Sequence, residues 1–511
     1  MNFEELINIT SLADLTETEQ IDVIGNLFDL SFDNKSLIGI NHAFELANQI
    51  TPENLSDENF TVLNYDLSNG WSYLRKIKYQ NTRDDWNFQM EELTKEIFHL
   101  RKAILSPGFQ TIRKERQCQI YTNIANSFSY IGRFVEAQEY WNKAINILPQ
   151  FSMALGNKAN GLFYYGLDLF DESHQNIFIV FAYHYLHSAL ELKQYLDFGA
   201  EQGMQQLHDY LASKIPEEHK LKLPDLNNYN LGEDEKLVNY RKWCLEKQLF
   251  VNPLNDLGNF SIASHDCLNL PTVIIETKRP PIYLNLYNQI KQEFGTARYA
   301  YYESVQQRNT HFSDIDVELV ETMETVRYSF YIEQMKISFR LSYSILDKIA
   351  YLLNDYLKLG IKPDKVSFRT LWHSNTQNNS LRIFFATSDN WALRGLYWLS
   401  KDLYEKEDNY DSVLEPQAKE IATIRNFIEH KGFKVISDFK LFPINYNEDE
   451  EISYTITRSD FENKTLNILK LTRAAIMYLS LAISHEEKKK DYSNMPALPI
   501  FPTLIPDYMK T

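Results

Sequence analysis

The chain has 511 residues, 44% of them hydrophobic, with only 16 Gly and 16 Pro and a net charge of −17. A chain of this length has room for two or three domains, and the scarcity of Gly and Pro favours long helices over a β-sandwich or β-barrel. The negative charge argues against a protein whose whole surface binds nucleic acid, so an RNA-binding site would need a local basic groove.

The three cysteines, Cys118, Cys244 and Cys267, are far apart, and no Cys-x-x-Cys pair is present. They therefore predict neither a disulfide framework nor a Cys-rich zinc site. The N-terminal stretch 1–5 is acidic and unlike a signal peptide, and the longest apolar runs are too short to cross a bilayer. We expect a cytoplasmic protein without a membrane partner.

Residues 118–151 contain a clear helix-pair pattern. Small residues let two antiparallel helices approach closely, and aromatic residues fill the space between successive pairs. The positions concerned are Tyr121, Ile124, Ala125, Phe128, Ala137, Trp141, Ala144 and Pro149. Their spacing resembles the tetratricopeptide (TPR) repeat, whose period is about 34 residues. With weaker patterns on both sides, it predicts a TPR-like helical array over residues 1–213, and the resemblance implies a protein or peptide ligand on that array.

Residues 214–282 are predicted to be a linker and docking segment. The region around Pro216 and Pro224 is polar and rich in turn residues. Within 239–258, a Trp-Cys-Leu run followed by Asn-Pro-Leu-Asn-Asp resembles the opening of one bacterial HEPN subfamily. We interpret this run as a segment that docks a C-terminal bundle against the helical array.

Residues 283–493 are predicted to form a C-terminal helical bundle. Apolar periodicity predicts helices over 283–305, 325–359, 391–404, 416–430 and 466–487. Two short runs, 434–436 and 454–456, predict a small hairpin or an ordered loop. The Pro-containing stretch 494–511 is predicted to be an irregular tail. The predicted fold class is all-α, with a TPR-like solenoid followed by a HEPN helical bundle.

The predicted helix 416–430 ends in an unusual polar set. Arg425 and His430 are five positions apart, Asn426 follows the arginine, and Gly432 is a plausible helix stop. Arginine is a permanent cation that suits phosphate, and histidine can exchange a proton near neutral pH. The combination suits cleavage of a phosphodiester without a metal ion.

This set resembles the R-x(4–6)-H signature of HEPN domains, which are helical bundles, many of them metal-independent RNases that act as dimers. The resemblance implies that Arg425 holds the phosphate, that His430 acts as general base or acid, and that Asn426 orients the pair. Asp347, on the predicted helix 325–359, is a candidate partner of Arg425 behind the site. The resemblance further implies an RNA substrate, a homodimer formed through the bundle, and no metal or other cofactor.

Two interpretations of function follow. HEPN proteins with added sensor modules are similar to toxins and phage-defence effectors, so the chain is predicted to be an endoribonuclease controlled by its helical array. The alternative is a catalytically inactive HEPN/TPR scaffold or binding protein, which the acidic charge and the large array favour. The intact set of Arg425, Asn426 and His430 favours the enzyme.

Overall fold

A computed structural model describes residues 2–510 of the chain, apart from 81, 83–85, 195, 197, 277–279, 323, 376–379, 405–417, 439–450, 492–496 and 501–502. Helices dominate the described residues, which confirms the predicted all-α class. In chain order the α-helices are α1 Phe3–Leu6, α2 Glu17–Asp33, α3 Leu37–Ala47, α4 Asp57–Lys78, α5 Glu91–Leu105, α6 Lys114–Tyr130, α7 Phe134–Ile147, α8 Ser152–Asp168, α9 Glu172–Leu192, α10 Phe198–Ala212, α11 Glu217–Leu221, α12 Glu235–Glu246, α13 Ile282–Gln306, α14 Phe330–Tyr356, α15 Ile383–Ala386, α16 Trp391–Tyr404, α17 Ala418–His430 and α18 Arg458–Lys489.

The strands are short and form two-stranded sheets. In chain order they are β1 Val273–Glu276, β2 His373–Asn375, β3 Ser380–Leu381, β4 Gly432–Ile436, β5 Ser453–Thr457 and β6 Ala497–Ile500. The pairs are β1 with β6, β2 with β3, and β4 with β5. Because β6 pairs antiparallel with β1, residues 497–500 form a strand where we predicted an irregular tail. Within that predicted tail, residues 494–496, 501, 502 and 511 lie outside the described residues.

We predicted a small hairpin or an ordered loop for this region, but β4 and β5 pair as parallel strands. A hairpin needs a tight turn between antiparallel strands, whereas parallel strands need a longer connection that returns the chain to the same end. Residues 437–452 provide such a connection, and 439–450 of it lie outside the described residues. Val326 extends the sheet with an isolated antiparallel bridge to Ile436.

The chain divides into two compact units. Unit 1 comprises Met1–Leu167, Gln175–Pro224 and Leu381–Ala418, and unit 2 comprises Asp168–His174, Asp225–Ser380 and Lys419–Thr511. Each unit is therefore assembled from separate stretches of the chain. The division differs from a simple order of array, linker and bundle, since a late stretch of the sequence returns to unit 1.

Unit 1 contains a succession of packed helices. Apolar side chains of α1 to α4, among them Ile24, Leu27, Phe28 and Ile40, form one buried core. Further along, α4 packs against α5 and α6 packs against α7. The positions of the predicted helix pair that are buried are Ile124, Ala125, Phe128, Ala137, Trp141 and Ala144. The helix pair thus forms as its apolar spacing predicted, while its assignment as a TPR repeat stays a prediction.

The helix α16 belongs to unit 1, although we expected it in the C-terminal bundle. Most of its side chains are buried. Its carboxylate Asp402 accepts two hydrogen bonds from the Arg101 guanidinium, both at 2.8 Å, and a further one from Arg133. Residues from α5 and from the turn after α6 therefore hold a helix that follows them by about 300 positions.

Unit 2 is built around α13, α14 and α18, which pack against one another. Fully buried side chains of these helices form its interior, among them Phe294, Phe339, Ile349, Ile468 and Ile476. One helix, α18, is long and apolar enough by composition to cross a membrane, but 83% of its apolar window is buried inside the protein. That burial is what the core helix of a helical bundle shows.

The segment after residue 225, which we predicted to be a linker and docking segment, is part of unit 2. The buried guanidinium of Arg473 on α18 donates to the Asp256 carboxylate at 2.7 Å and to the carbonyl of Asn252 at 3.0 Å. Arg298 on α13 makes a bidentate pair with Asp266 at 2.9 Å. These contacts anchor the segment on the helices of its own unit, because each buried cation needs an acceptor nearby.

Candidate functional site

The motif helix α17 is held in unit 2 by one apolar face. Ile421, Ile424 and Phe427 are 1%, 0% and 6% exposed, respectively, and recur every three residues, so they form a stripe along one side of the helix. At its first turn, Glu420 accepts a hydrogen bond from the Tyr454 hydroxyl at 3.0 Å and pairs with Lys464 at 2.7 Å. The helix is therefore positioned by β5 and α18.

The end of α17 follows the predicted glycine stop. The helix ends at His430, and β4 begins at Gly432. The Lys431 amide donates to the Phe427 carbonyl at 3.1 Å, so the last turn keeps α-helical bonding. The Gly432 amide then donates to the Ile452 carbonyl at 2.9 Å, and a side chain at Gly432 would lie within 3.0 Å of the Ser453 Cβ. The small residue lets the chain turn directly into the strand.

The predicted site residues all lie on the exposed face of α17. Arg425, Asn426 and His430 are exposed, together with Ala422 and Glu429. At about 100° per residue, Asn426 lies between the other two, and Arg425 and His430 point about 140° apart. The exposed face therefore carries the arginine at one edge and the histidine at the other.

Arg425 lies against α14. Its guanidinium carbon is 4.6 Å from the centre of the Tyr343 ring, and its Nη2 is 3.8 Å from the Asp347 Oδ2. The other oxygen of Asp347 accepts a hydrogen bond from the Phe368 amide at 2.9 Å. Asp347 is thus fixed by backbone on one side and faces Arg425 on the other. The Arg425 side chain is still 47% exposed, so it is oriented by protein contacts while part of it stays open to solvent.

A second ion pair joins α14 to α17, one turn of α17 after Arg425. Arg340 on α14 donates to both carboxylate oxygens of Glu429 on α17, at 2.9 and 3.0 Å. The edge of α17 that carries Arg425 and Glu429 is therefore aligned with α14 by two charge pairs. Beyond it, the ammonium of Lys431 lies 4.8 Å from the centre of the Phe427 ring.

The other edge of the exposed face is open. The side chains of Asn426 and His430 make no hydrogen bond to any residue in the described part of the chain. Both groups can therefore meet a ligand without first breaking an internal contact. Chemically, this face offers an oriented guanidinium, a carboxamide and an imidazole that can exchange a proton.

Comparison with known families gave one match, in the C-terminal part of the chain. Residues 274–486 match the family model described as LA2681-like HEPN. The match supports a HEPN domain in the C-terminal part of the chain, and we call residues 274–486 the HEPN region. Neither the curated proteins nor the solved structures gave a match to the chain.

The HEPN region includes all of the site described above. It also includes α16, which packs in unit 1, so the family match and the compact units divide the chain differently. The run 239–258, which resembled the opening of a HEPN subfamily, lies before the matched residues. The resemblance at that run therefore receives no support from the match.

Sequence reasoning missed two contacts that shape the site, the Tyr343 ring under Arg425 and the Arg340–Glu429 pair. Both contacts come from α14, where Arg340, Tyr343 and Asp347 recur three to four residues apart and so share one face. Polar and aromatic residues at this spacing on a long apolar helix were the signal in the sequence that this face of α14 contacts the site. No group of three or more His, Cys, Asp or Glu arranged to hold a metal ion occurs among the described residues.

Proposed function

We propose that this protein is a HEPN-type endoribonuclease that cleaves RNA without a metal ion. The observation that carries the proposal is the exposed face of α17 inside the HEPN region, where Arg425 is oriented by Asp347 and Tyr343 while Asn426 and His430 stay open. A helix that only filled the core would not need these three polar groups on its outer face.

The chemistry follows from the groups present. RNA carries its own nucleophile, the 2′-hydroxyl, next to the phosphate that is to be broken. In this proposal His430 removes the proton of the 2′-hydroxyl or protonates the departing 5′-oxygen. Arg425 binds the phosphate and stabilises the charge that builds up on its oxygens. Asn426 orients the RNA by hydrogen bonding. The products are a 2′,3′-cyclic phosphate and a free 5′-hydroxyl.

The geometry of α17 favours a site made by two copies of the chain. Side chains that point about 140° apart on one helix diverge from each other, so a single α17 presents Arg425 and His430 to different places. Two α17 helices packed with their exposed faces together bring the arginine of one copy near the histidine of the other. We therefore propose a homodimer through the HEPN region, with RNA bound between the two copies.

The charge of the chain constrains where RNA binds. The net charge is −17, so RNA is repelled by most of the surface. Near the motif, Asp347 and Glu429 partly neutralise Arg425 and Arg340, and Lys431 adds an exposed cation. In a dimer the cations of both copies add up in one groove. Binding should therefore weaken steeply as the salt concentration rises.

The helices of unit 1 suggest control of this activity. We propose that they form a sensor array, and that the whole protein acts in the cytoplasm as a toxin or a phage-defence effector. In this proposal a protein or peptide ligand on the array changes the activity of the HEPN region.

The central test is a cleavage assay in the presence of EDTA. Purified full-length protein is incubated with total RNA, and the fragment ends are mapped. Fragments with 2′,3′-cyclic phosphate ends are the expected result, and light scattering at the same protein concentration should show a dimer. Intact RNA over a broad range of protein concentrations would favour the inactive scaffold instead. Full activity from a strictly monomeric species would exclude the composite site.

A further inference from the structure

Unit 1 contains a polar cavity of about 720 Å³, a volume within the range of small-molecule sites. Helices α4, α5, α6 and α8 contribute to its walls. The lining is dominated by amides and hydroxyls, including Asn69, Asn123, Asn126 and Asn157, with the cations Arg75 and Lys76 and one carboxylate, Glu96. Such a wall meets a ligand mainly through hydrogen bonds.

The amides of the cavity are already oriented. The Asn123 amide donates to the Asn69 Oδ1 at 3.1 Å, and the Asn126 Oδ1 accepts a hydrogen bond from the Trp141 indole at 3.0 Å. Asn157 donates to the Met153 carbonyl at 2.8 Å. In Asn123, Asn126 and Asn157 one end of the amide is engaged, which leaves the other end available to a ligand.

Thr122 supplies independent evidence for a ligand. This residue lines the cavity and is only 3% exposed, yet its buried hydroxyl has no hydrogen-bond partner among the described residues. Burying a hydroxyl without a partner is costly. By contrast, the buried hydroxyl of Thr61 on α4 is satisfied by the Asp57 carbonyl and by Ser106, at 2.8 and 2.9 Å. A polar ligand in the cavity would give Thr122 its partner.

The cationic groups indicate the charge of the ligand. Arg75 is buried, and its Nε is 3.6 Å from the Glu96 Oε2. Glu96 also accepts a hydrogen bond from Ser127 at 2.6 Å. Lys76 is exposed and lines the same cavity. The lining itself thus carries two cations and one carboxylate, which favours a ligand with an anionic group.

A contact chain links the cavity to α16. The guanidinium carbons of Arg75 and Arg394 lie 4.7 and 4.9 Å from the centre of the same Tyr130 ring, which lines the cavity. Arg394, a residue of α16, also donates to the Tyr130 carbonyl at 3.1 Å. Tyr130 is therefore in contact both with a cation of the cavity and with a residue of α16.

We propose that this cavity is an effector site for a small polar ligand with an anionic group, and that Tyr130 transmits its occupancy to α16. The anionic group pairs with Arg75 and Lys76, and the remaining polar groups bind the asparagines and Thr122. Two kinds of ligand carry this chemistry, a phosphate monoester such as a nucleotide and a small molecule with a free carboxylate. Any effect on RNA cleavage rests on the proposed nuclease, but binding to unit 1 does not.

Calorimetric titration of the full-length chain tests the site. The probes are AMP and the N-acetylated tripeptide Ala-Ala-Ala, each with its neutral counterpart, adenosine and the N-acetylated tripeptide with an amidated C-terminus. We expect one anionic probe to bind at least tenfold more tightly than its neutral counterpart, and which one binds identifies the ligand class. If neither probe binds at millimolar concentration, or if charge makes no difference, the proposal is wrong.

A pair of threonine variants separates a ligand site from a packing role. Thr122→Val removes a hydroxyl that has no partner, so the free protein should melt at the same temperature or higher, while affinity for the probe should fall about three- to tenfold. Thr61→Val removes a satisfied hydroxyl, so it should lower the melting temperature and leave the affinity unchanged. Unchanged affinity in Thr122→Val would overturn the site.

Hydrogen exchange tests the link to α16. The bound probe should slow amide exchange in 391–404 of the wild type. Tyr130→Leu should keep measurable binding but lose this protection, because the ring between Arg75 and Arg394 is gone. If α16 exchanges at the same rate with and without the bound probe, the transmission step is excluded. Neither measurement depends on RNA cleavage, so the outcome is independent of the proposed enzymatic activity.

Discussion

Two carboxylates that face arginines, Asp402 in unit 1 and Asp347 in unit 2, are held in different ways. Asp402 is 2% exposed and binds both Arg101 and Arg133. Asp347 is 30% exposed in its side chain and faces Arg425 at 3.8 Å. The buried cluster uses all its charge within the protein. The exposed face of α17, by contrast, carries charged and hydrogen-bonding groups that can bind a ligand.

The degree of burial decides which arginines can bind a substrate. A buried guanidinium must have its acceptors in the folded chain, because water cannot reach it. An exposed guanidinium can be oriented by one carboxylate and one ring and still exchange a water molecule for a phosphate. Burial therefore separates the structural arginines of unit 1 from the candidate catalytic arginine of unit 2.

The largest effect is expected from His430→Ala. It removes the proposed acid–base group, so RNA cleavage should fall about 10²- to 10⁴-fold. The side chain is exposed and has no partner in the described residues, so the unfolding free energy should change by less than about 0.5 kcal/mol. Initial cleavage rates and circular-dichroism melts provide the measurements. His187→Ala, a half-exposed histidine of unit 1, is the control and should cleave like the wild type.

Asp402→Asn should be the most destabilising change. It keeps the shape of the side chain but removes the buried carboxylate charge that Arg101 and Arg133 share, which typically costs about 3–5 kcal/mol, although Arg133 keeps its pair with Glu136. Urea unfolding, monitored in unit 1 by hydrogen exchange, should show this loss. Glu217→Gln breaks an exposed pair with Lys220 in the same unit and should cost less than about 1 kcal/mol. Equal effects of the two variants would contradict the contrast between buried and exposed pairs.

Arg425→Lys keeps the positive charge but removes the planar fork that stacks on Tyr343 and faces Asp347. A lysine cannot hold a phosphate in the same bidentate way, so cleavage should fall about 10²-fold. The melting temperature should hardly change, because the group is half exposed. Arg340→Lys on the neighbouring pair with Glu429 is the matched control and should reduce cleavage far less. Unfolding of Arg425→Lys would instead assign the arginine a structural role.

Lowering the pH should destabilise unit 1, because the Asp402 carboxylate becomes protonated. Burial alone raises the pKa of this carboxyl, but the charges of Arg101 and Arg133 outweigh burial and lower the pKa to about 2. Its stabilising contribution is therefore complete above the ordinary pKa of about 3.9 and is lost as the pH falls towards 2, roughly 2 kcal/mol in all. Urea unfolding between pH 5 and pH 2 measures it. Asp402→Asn should flatten this part of the pH profile, and an unchanged slope in the variant would refute the assignment.

The smallest effect is expected from Asp347→Asn. The amide can still accept the hydrogen bond of the Phe368 amide, so only the charge beside Arg425 is lost. Partly exposed ion pairs are worth about 0.2–1 kcal/mol, which corresponds to a change in cleavage rate of less than about fivefold. If the carboxylate mainly orients Arg425, steady-state kinetics should show a larger change in KM than in kcat. A loss as large as that of His430→Ala would assign Asp347 a direct part in the reaction.

Local features of the sequence were enough to predict much of the framework. The apolar spacing of α6, α7 and α17 predicted helices, because a helical stripe must be buried wherever the chain later packs. Gly432 predicted the end of α17, since a small residue allows the chain to turn at once into a strand. The polar residues at the end of α17 could also be recognised in the sequence, because they fall outside the apolar stripe of the helix.

Only the tertiary structure decided which distant segments meet. The pairing of Asp402 with Arg101 spans 301 positions, and no local pattern in α16 distinguishes a helix of unit 1 from one of unit 2. The parallel pairing of β4 with β5 and the inclusion of the segment after residue 225 in unit 2 are long-range outcomes of the same kind. Helix periodicity depends on neighbours within a few residues, whereas an ion pair between helices depends on how whole elements pack. The sequence by itself therefore determined the helices and the motif, and the packing decided that Arg425 is oriented by Asp347 and Tyr343 at one edge of an open face.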